Sequence, residues 1–295
     1  MNESAWNNVL SNHKIDKVTF YRFRARYPRL HGKNARLSYH GFGGEVLAAR
    51  IYTNQGASGW GSVSTNLPEA REAAERIVGK KLTEVFSAQK GILDSTLHAL
   101  DIPLHDLAGV ILDIPVAQMI RPKATLSSVV YDGAIYMNDI IPEDHPQGVE
   151  QILRDCEYDY ALGHRILKIK IGRGSIWMPH YEGLARDIEV VCRIHDAFPD
   201  AYLMVDANDG YSVEDTIAFM EGIGDTELYW FEEPFRECEE NNRRLREYLN
   251  IHRPRTLIAD GESMTDIPLL RSLAEKKLLD VWQPDVCGYG FTAWR

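Results

Sequence analysis

Three acidic residues each stand at the end of a short apolar run, and their spacing limits the folds open to this chain. The runs are Tyr202-Leu-Met-Val-Asp206, Leu228-Tyr-Trp-Phe-Glu232 and Thr256-Leu-Ile-Ala-Asp-Gly-Glu262. Upstream, Arg165-Ile-Leu-Lys-Ile-Lys170 ends on two lysines. A charge at the end of a buried strand is costly unless it has a partner or a task. Asp206, Glu232 and Glu262 lie 26 and 30 residues apart, close to the length of one strand-plus-helix unit in a (β/α)8 barrel. In that barrel the strand ends converge on one face, where function is built. Three carboxylates facing Lys168 and Lys170 across such a mouth describe a divalent-metal site beside a base.

The order of elements supports a barrel preceded by a smaller lobe. Lys17 to Arg24 and Glu45 to Tyr52 alternate like half-buried strands. Turn chemistry from Thr53 to Gly59 separates the second from Trp60-Gly-Ser-Val. Helical patterns follow from Pro68 to Phe86, from Asp94 to Val110 and after Pro115, giving an α+β lobe over residues 1–122. From residue 123 the order becomes strand, helix, strand, helix. Strands are expected near 125–131, 166–171, 201–206, 228–232, 256–260 and 280–284. Helices are expected over 182–197, 213–223, 239–249 and 266–277. That alternation predicts a parallel sheet with crossover helices in residues 123–295.

Composition narrows the partners. The 295 residues, 44% of them hydrophobic, suffice for a large core. A formal net charge of −10 argues against a nucleic-acid partner or an anionic membrane surface. An anionic substrate would need a local positive centre, which a metal and two lysines supply. Cys156, Cys192, Cys238 and Cys287 show neither CxxC pairing nor zinc spacing, which fits a reducing compartment. The N-terminus has no basic-then-apolar signal pattern, and no apolar run is long enough to span a bilayer. A cytoplasmic protein is expected.

Lys168 and Lys170 point the same way from a strand. Two ammonium groups that close disfavour each other's charge, which would lower the pKa of Lys170 and fit it to act as a general base. The competing reading is a surface strand with two solvated lysines. Three monodentate carboxylates suit Mg2+, which wants hard oxygen ligands and leaves positions open for substrate; zinc is disfavoured without His or Cys. Any one acid alone would read as a salt bridge or helix cap. Gly172-Arg173-Gly174 lacks the spacing of a phosphate loop and reads as a flexible βα loop, from which Arg173 could reach an anionic substrate. Trp6, Trp60, Trp177 and Trp230 read as core or interface anchors.

Taken together, these residues resemble the enolase superfamily in its mandelate racemase and muconate lactonizing enzyme branch. The resemblance rests on Leu104-His-Asp-Leu-Ala-Gly109, Tyr131-Asp-Gly-Ala, the Lys-x-Lys pair, Val205-Asp-Ala-Asn208, Trp230-Phe-Glu-Glu-Pro234, Ile258-Ala-Asp-Gly-Glu262 and Gln283-Pro-Asp285. It implies a capping domain over a modified (β/α)7β-like TIM barrel, and a homo-oligomer when full length. It also implies Mg2+-dependent abstraction of the proton α to a carboxylate, giving a metal-stabilised enediolate. Carried over, it makes Asp206, Glu232 and Glu262 the metal ligands, with Glu233 as support and Asp260 as the alternative third ligand. Lys170 is the base, Lys168 steers the substrate carboxylate, and Asn208 contacts that carboxylate or orients the site. Asp285 matches an Asp that orients a His on the next strand; its competing reading is a turn-starting Asp after Pro284. The usual seventh and eighth strands are not in this sequence, so a barrel truncated after the sixth strand is expected, from an incomplete record. The polar segment from Leu30 to Gly44 matches a loop that closes over the barrel mouth, or is simply solvated. Dehydration of a sugar acid is the first expectation. Racemisation, epimerisation or cycloisomerisation is the second, and a metal-binding barrel without turnover is the third.

Overall fold

The computed structural model describes residues 3–123, 133–263 and 266–295, without the side chains of residues 3 and 4. Helix α1 (Glu3–Leu10) leads into β1 (Ile15–His31), β2 (Gly41–Thr53) and β3 (Ser58–Ser62), which form one sheet in that order. β2 and β3 pair antiparallel across a turn closed by Gly56 N–H on the Thr53 carbonyl. Helix α2 (Leu67–Ile77) starts where the Asn66 side chain accepts the Glu69 N–H. The helix expected from Pro68 to Phe86 stops at Ile77, where Val78 leaves helical geometry at ψ 131° and Gly79 follows in the left-handed region at φ +87°. A 3-10 turn and the short hairpin β4 (Phe86–Ser87) and β5 (Gly91–Ile92) follow. The next expected helix likewise divides, into a 3-10 stretch (Ser95–Leu100) and α3 (Asp101–Leu112), followed by α4 (Val116–Ile120).

β3 carries a glycine at every second position for a packing reason. A Cβ on Gly59 would fall 2.2 Å from the Leu107 backbone nitrogen, and one on Gly61 2.6 Å from Ile102 Cγ2. The bare strand face lets the backbone of α3 lie directly on the sheet. Leu104 and Leu107 then reach a core shared with Ile51, Leu82 and Phe86.

The remainder is strand–helix alternation: β6 (Gly133–Ile135), α5 (Val149–Ala161), β7 (Ile166–Lys170), α6 (His180–Ala197), β8 (Tyr202–Asp206), α7 (Val213–Gly222), β9 (Leu228–Glu232), α8 (Glu239–His252), β10 (Leu257–Asp260), α9 (Ile267–Glu275), β11 (Val281–Trp282) and α10 (Val286–Trp294). β6 to β11 form a parallel six-stranded sheet in chain order. The strand expected at 125–131 lies outside the described residues. Helix α5 was not legible, because Asp155 and Asp159 interrupt its apolar stripe and are nonetheless buried. Asp159 is paired with Arg29 at 2.6 Å, and Asp155 accepts Asn138 Nδ2 at 2.6 Å.

Alternation along the parallel strands separates packing from chemistry. Leu167, Ile169, Leu203, Val205, Phe231 and Ile258 join the main core with the helices, each burial stabilising by about 1.5–3 kcal/mol. The alternate residues Met204, Trp230 and Ala259 form a second, small core, and the lysines and acids share their phase.

The chain forms two compact units that are discontinuous in sequence, rather than dividing once after residue 122. One contains the described parts of Met1–Arg26, Gly44–Ser128 and Asp285–Arg295; the other contains those of Tyr27–Gly43 and Val129–Pro284. The long β1 explains this, since its final residues leave the first unit. In the second unit Arg29 binds Asp159, and Lys33 forms a β-bridge to Met137. No helix among the described residues is long and apolar enough to cross a membrane.

Candidate functional site

β7, β8 and β9 end in one register row, so Lys170, Asp206 and Glu232 stand side by side. Lys170 Nζ donates to Asp206 Oδ2 at 2.5 Å. Lys168 Nζ donates to Glu232 Oε1 at 2.6 Å and lies 3.2 Å from Asp206 Oδ2. The lysines are 3% and 6% exposed, which rules out a solvated surface strand. One carboxylate oxygen from each of Asp206, Glu232 and Glu262 lies within 4.8 Å of the others. Asp206 and Glu232 are buried, and Glu262 is exposed.

Neighbouring groups fix the direction of these carboxylates. Asp206 Oδ1 accepts the Asn208 N–H at 2.9 Å. Glu232 Oε2 accepts Trp230 Nε1 at 3.1 Å and Gln283 Nε2 at 3.4 Å. Glu233, in the left-handed region at φ +39°, turns to other partners: Ser263 N–H at 2.8 Å and Asn208 Nδ2 at 3.2 Å. Asp260 accepts its neighbour's Gly261 N–H at 2.6 Å and is not in the three-carboxylate set. Glu262 is therefore the third acid that the fold brings to Asp206 and Glu232.

The electrostatics correct one expectation. Burial pulls the Lys170 ammonium down and Lys168 adds to that, but Asp206 and Glu232 outweigh both and hold it above the ordinary lysine value. The expected lowering considered only the second lysine. Burial also opposes charge on the acids, and they respond in opposite directions. Asp206, in contact with Lys170 and Lys168, is held below the usual carboxylate range. Glu232, buried beside the Asp206 charge, is pushed up to about 8. Three carboxylates converging within 4.8 Å, all offering hard oxygen and two of them buried, fit a divalent cation of the Mg2+ type. Asp206, Glu232 and Glu262 are the residues that would hold it.

A cavity of 570 Å3 opens beside this set, lined by Arg36, His40, Tyr136, Lys170, Asn208 and Glu262 among others. The loop that begins after β1 is thus part of the site's wall. Asn34 shapes it by accepting the Leu37 N–H at 2.6 Å, and Trp177 Nε1 anchors it on the Asn34 carbonyl at 2.6 Å. Asn208 stands at φ +44° with its Oδ1 buried and unpartnered among the described residues. Tyr136 and Gln283 were not singled out by sequence reasoning; for Gln283 the signal was its place in the Gln283-Pro-Asp285 motif.

Asp285 and Arg173 each have defined partners. Asp285 belongs to the other compact unit, where its carboxylate caps α10 by accepting the Cys287 N–H at 2.9 Å. That is the turn-starting geometry. Arg173 is wholly buried and bound by Asp139 and Asp187, so it is not a mobile loop cation free to meet a substrate.

A family model described as "Enolase C-terminal domain-like" matches residues 151–295. Galacturonate dehydratase from Geobacillus sp., solved with D-galacturonate and 5-keto-4-deoxy-D-galacturonate, superposes with a TM-score of 0.82 at 32% identity, covering 96% of this chain and 75% of that one. A mandelate racemase/muconate lactonizing protein from Geobacillus sp. Y412MC10, solved with magnesium and tartrate, gives 0.83 at 32% identity over 96% of this chain and 74% of that one. The D-galactarolactone cycloisomerase of Agrobacterium fabrum is 26% identical over 68% of this chain and 49% of its own length. The chain spans about half the length of the curated relatives it matches.

Proposed function

We propose that this chain, which belongs to the mandelate racemase/muconate lactonizing enzyme branch of the enolase superfamily, removes the proton α to the carboxylate of a sugar acid and expels the β-hydroxyl as water. The observation that carries this reading is Lys170 Nζ, 2.5 Å from Asp206 Oδ2, in the wall of a cavity shared with Glu262 and Asn208. Asp206, Glu232 and Glu262 would hold Mg2+. Bound there, the cation supplies positive charge that favours electron density on the substrate carboxylate as the α C–H bond breaks.

The protein's own groups do the rest. Lys170 would accept the α-proton at Nζ after losing its own, which Asp206 and Glu232 hold in place until a cation on those carboxylates offsets their charge. The electron pair of that bond forms the Cα–Cβ double bond, the β C–O bond breaks, and the hydroxyl takes a proton from solvent and leaves as water. The resulting enol takes a proton from solvent at Cβ, releases its hydroxyl proton to solvent and becomes the ketone beside the carboxylate. Lys168, anchored on Glu232 and Asp206, keeps a second positive charge near the carboxylate. The unpartnered Oδ1 of Asn208 accepts a substrate hydroxyl, while Arg36 and His40 face the polar remainder of the molecule. D-galacturonate and 5-keto-4-deoxy-D-galacturonate, the pair held by the Geobacillus protein, differ by one water in this sense. That makes D-galacturonate the first substrate to test. The second reading keeps proton abstraction but ends in cycloisomerisation or epimerisation, as the likeness to a cycloisomerase suggests. The free cysteines support a cytoplasmic setting.

The test incubates the full-length protein with Mg2+ in D2O, using D-galacturonate and a panel of hexonic and hexaric acids. Expected is a deoxy-keto acid one water lighter than its substrate. Deuterium at the α-carbon without loss of water would select the second reading. Neither product across the panel would end both.

The proposal also keeps Asp285 as a residue that takes part in catalysis. Asparagine caps a helix as well as aspartate does, so Asp285→Asn removes charge and spares α10. Turnover should fall about 100-fold or more, the usual share of acid–base catalysis, at unchanged melting temperature. Unaltered turnover would leave Asp285 with capping as its whole role.

A further inference from the structure

We infer that Arg173 is a positioning residue that fixes the backbone from which Lys170 reaches the reaction centre. The inference rests on Lys170 as the base. Four backbone polar groups from that lysine to Arg173 are held. The Lys170 carbonyl accepts Arg173 Nη1 at 3.2 Å, and the Ile171 N–H donates to the Asp206 carbonyl at 2.9 Å. The N–H groups of Gly172 and Arg173 both donate to Asp187 Oδ2, at 2.9 and 3.1 Å. Arg173 closes the arrangement: Nη1 also binds Asp187 Oδ1 at 2.5 Å, while Nη2 and Nε bind Asp139 at 2.7 and 3.0 Å. Tyr211 Oη donates to the same Asp187 oxygen as the two amides, at 2.8 Å. Thus α6 through Asp187, a 3-10 turn over Asn138–Ile140 through Asp139, and the loop between β8 and α7 through Tyr211 all bear on one short segment.

Stability does not explain this network. A buried ion cluster gives back little more than its desolvation cost, and an apolar filling of the same volume is often as stable. What charged, directional groups supply and an apolar filling does not is a defined position. The planar guanidinium is suited to this because its fork binds two carboxylates and a carbonyl at once. Lysine is a long, flexible side chain, so the placement of Nζ depends on where its Cα is held. A displacement of about 1 Å at a reacting group can cost roughly 100-fold in rate. Arg173, with no exposure, acts on the chemistry through Lys170 and not by touching substrate.

The test uses the full-length, Mg2+-loaded protein as wild type, Arg173→Lys and the milder Asp139→Asn, which keeps the Arg173–Asp187 pair. With D-galacturonate as probe, kcat should fall about 10- to 100-fold while KM stays within about threefold. The isotope effect for substrate deuterated at the α-carbon should rise, because proton transfer becomes slower. Independently of turnover, the side-chain NMR signal of Lys170 in nitrogen-labelled protein, assigned by its absence in Lys170→Met, should move in both variants. The inference is overturned if kcat stays within about twofold of wild type. It is also overturned if Mg2+ affinity, KM and melting temperature collapse together in both variants, since that describes a structural part only. If the wild type converts no acid, the functional reading fails, and the Lys170 signal alone decides: a shift upholds the positioning role and an unmoved signal rejects it.

Discussion

Replacing Lys170 with Met should slow α-proton exchange by about 100- to 10,000-fold, the share that a positioned general base supplies. Met keeps most of the apolar stem, and Asp206 retains Lys168 at 3.2 Å, so Mg2+ and substrate should still bind. The readout is deuterium incorporation at the α-carbon in D2O, measured on both stereoisomers of an accepted acid. Exchange of both isomers at the wild-type rate would show that the lysine row is not the base. The chemistry would then have to come from another group.

The second large effect concerns Glu232→Gln. The change removes the negative charge that Glu232 would bring to a bound cation and preserves the side chain's shape. Lys168 can still bond to the amide oxygen, and Asp206 still faces both lysines, so the fold should survive. Loss of an outer partner of a metal ligand costs about 10- to 100-fold in affinity; loss of a charged ligand should exceed that. Calorimetric titration with Mg2+ measures it directly. Stoichiometric binding at wild-type affinity would remove Glu232 from the ligand set.

The convergence of Asp206 and Glu232 beside Lys168 and Lys170 was legible because strands write their geometry into the sequence with a period of two. Lys168 and Lys170 are two apart, each acid ends an apolar run, and the runs recur at the length of a strand plus helix. Those signals are local and repeat. The signals that failed depend on distant partners. Asp155 and Asp159 made α5 look too polar to be buried, since Arg29 and Asn138, more than 100 and 15 residues away in sequence, cannot be foreseen as their partners. The raised pKa of Lys170 failed for a similar reason: the neighbouring lysine is visible in the strand, whereas the contact distance to Asp206 is not. Arg173 followed a glycine and read as a loop cation until Asp139 and Asp187 were seen to enclose it. Asp285 illustrates the reverse case, where the plain capping reading of a single residue matches the observed geometry.

The register row of Lys170, Asp206 and Glu232 has a consequence for how this chain can change over time. Because side chains alternate, a slip of one residue between β7, β8 and β9 would turn every reacting group toward the helices and bring Ile169, Val205 and Phe231 to the mouth. Such a slip would also place charges in the main apolar core. Correct pairing and chemical competence are therefore one requirement, with no properly packed but inert register in between. Insertions and deletions within these strands should be lost together with the fold. The loop carrying Arg36 and His40 can vary in length and content without disturbing the row, which leaves it as the part where a new substrate preference can arise.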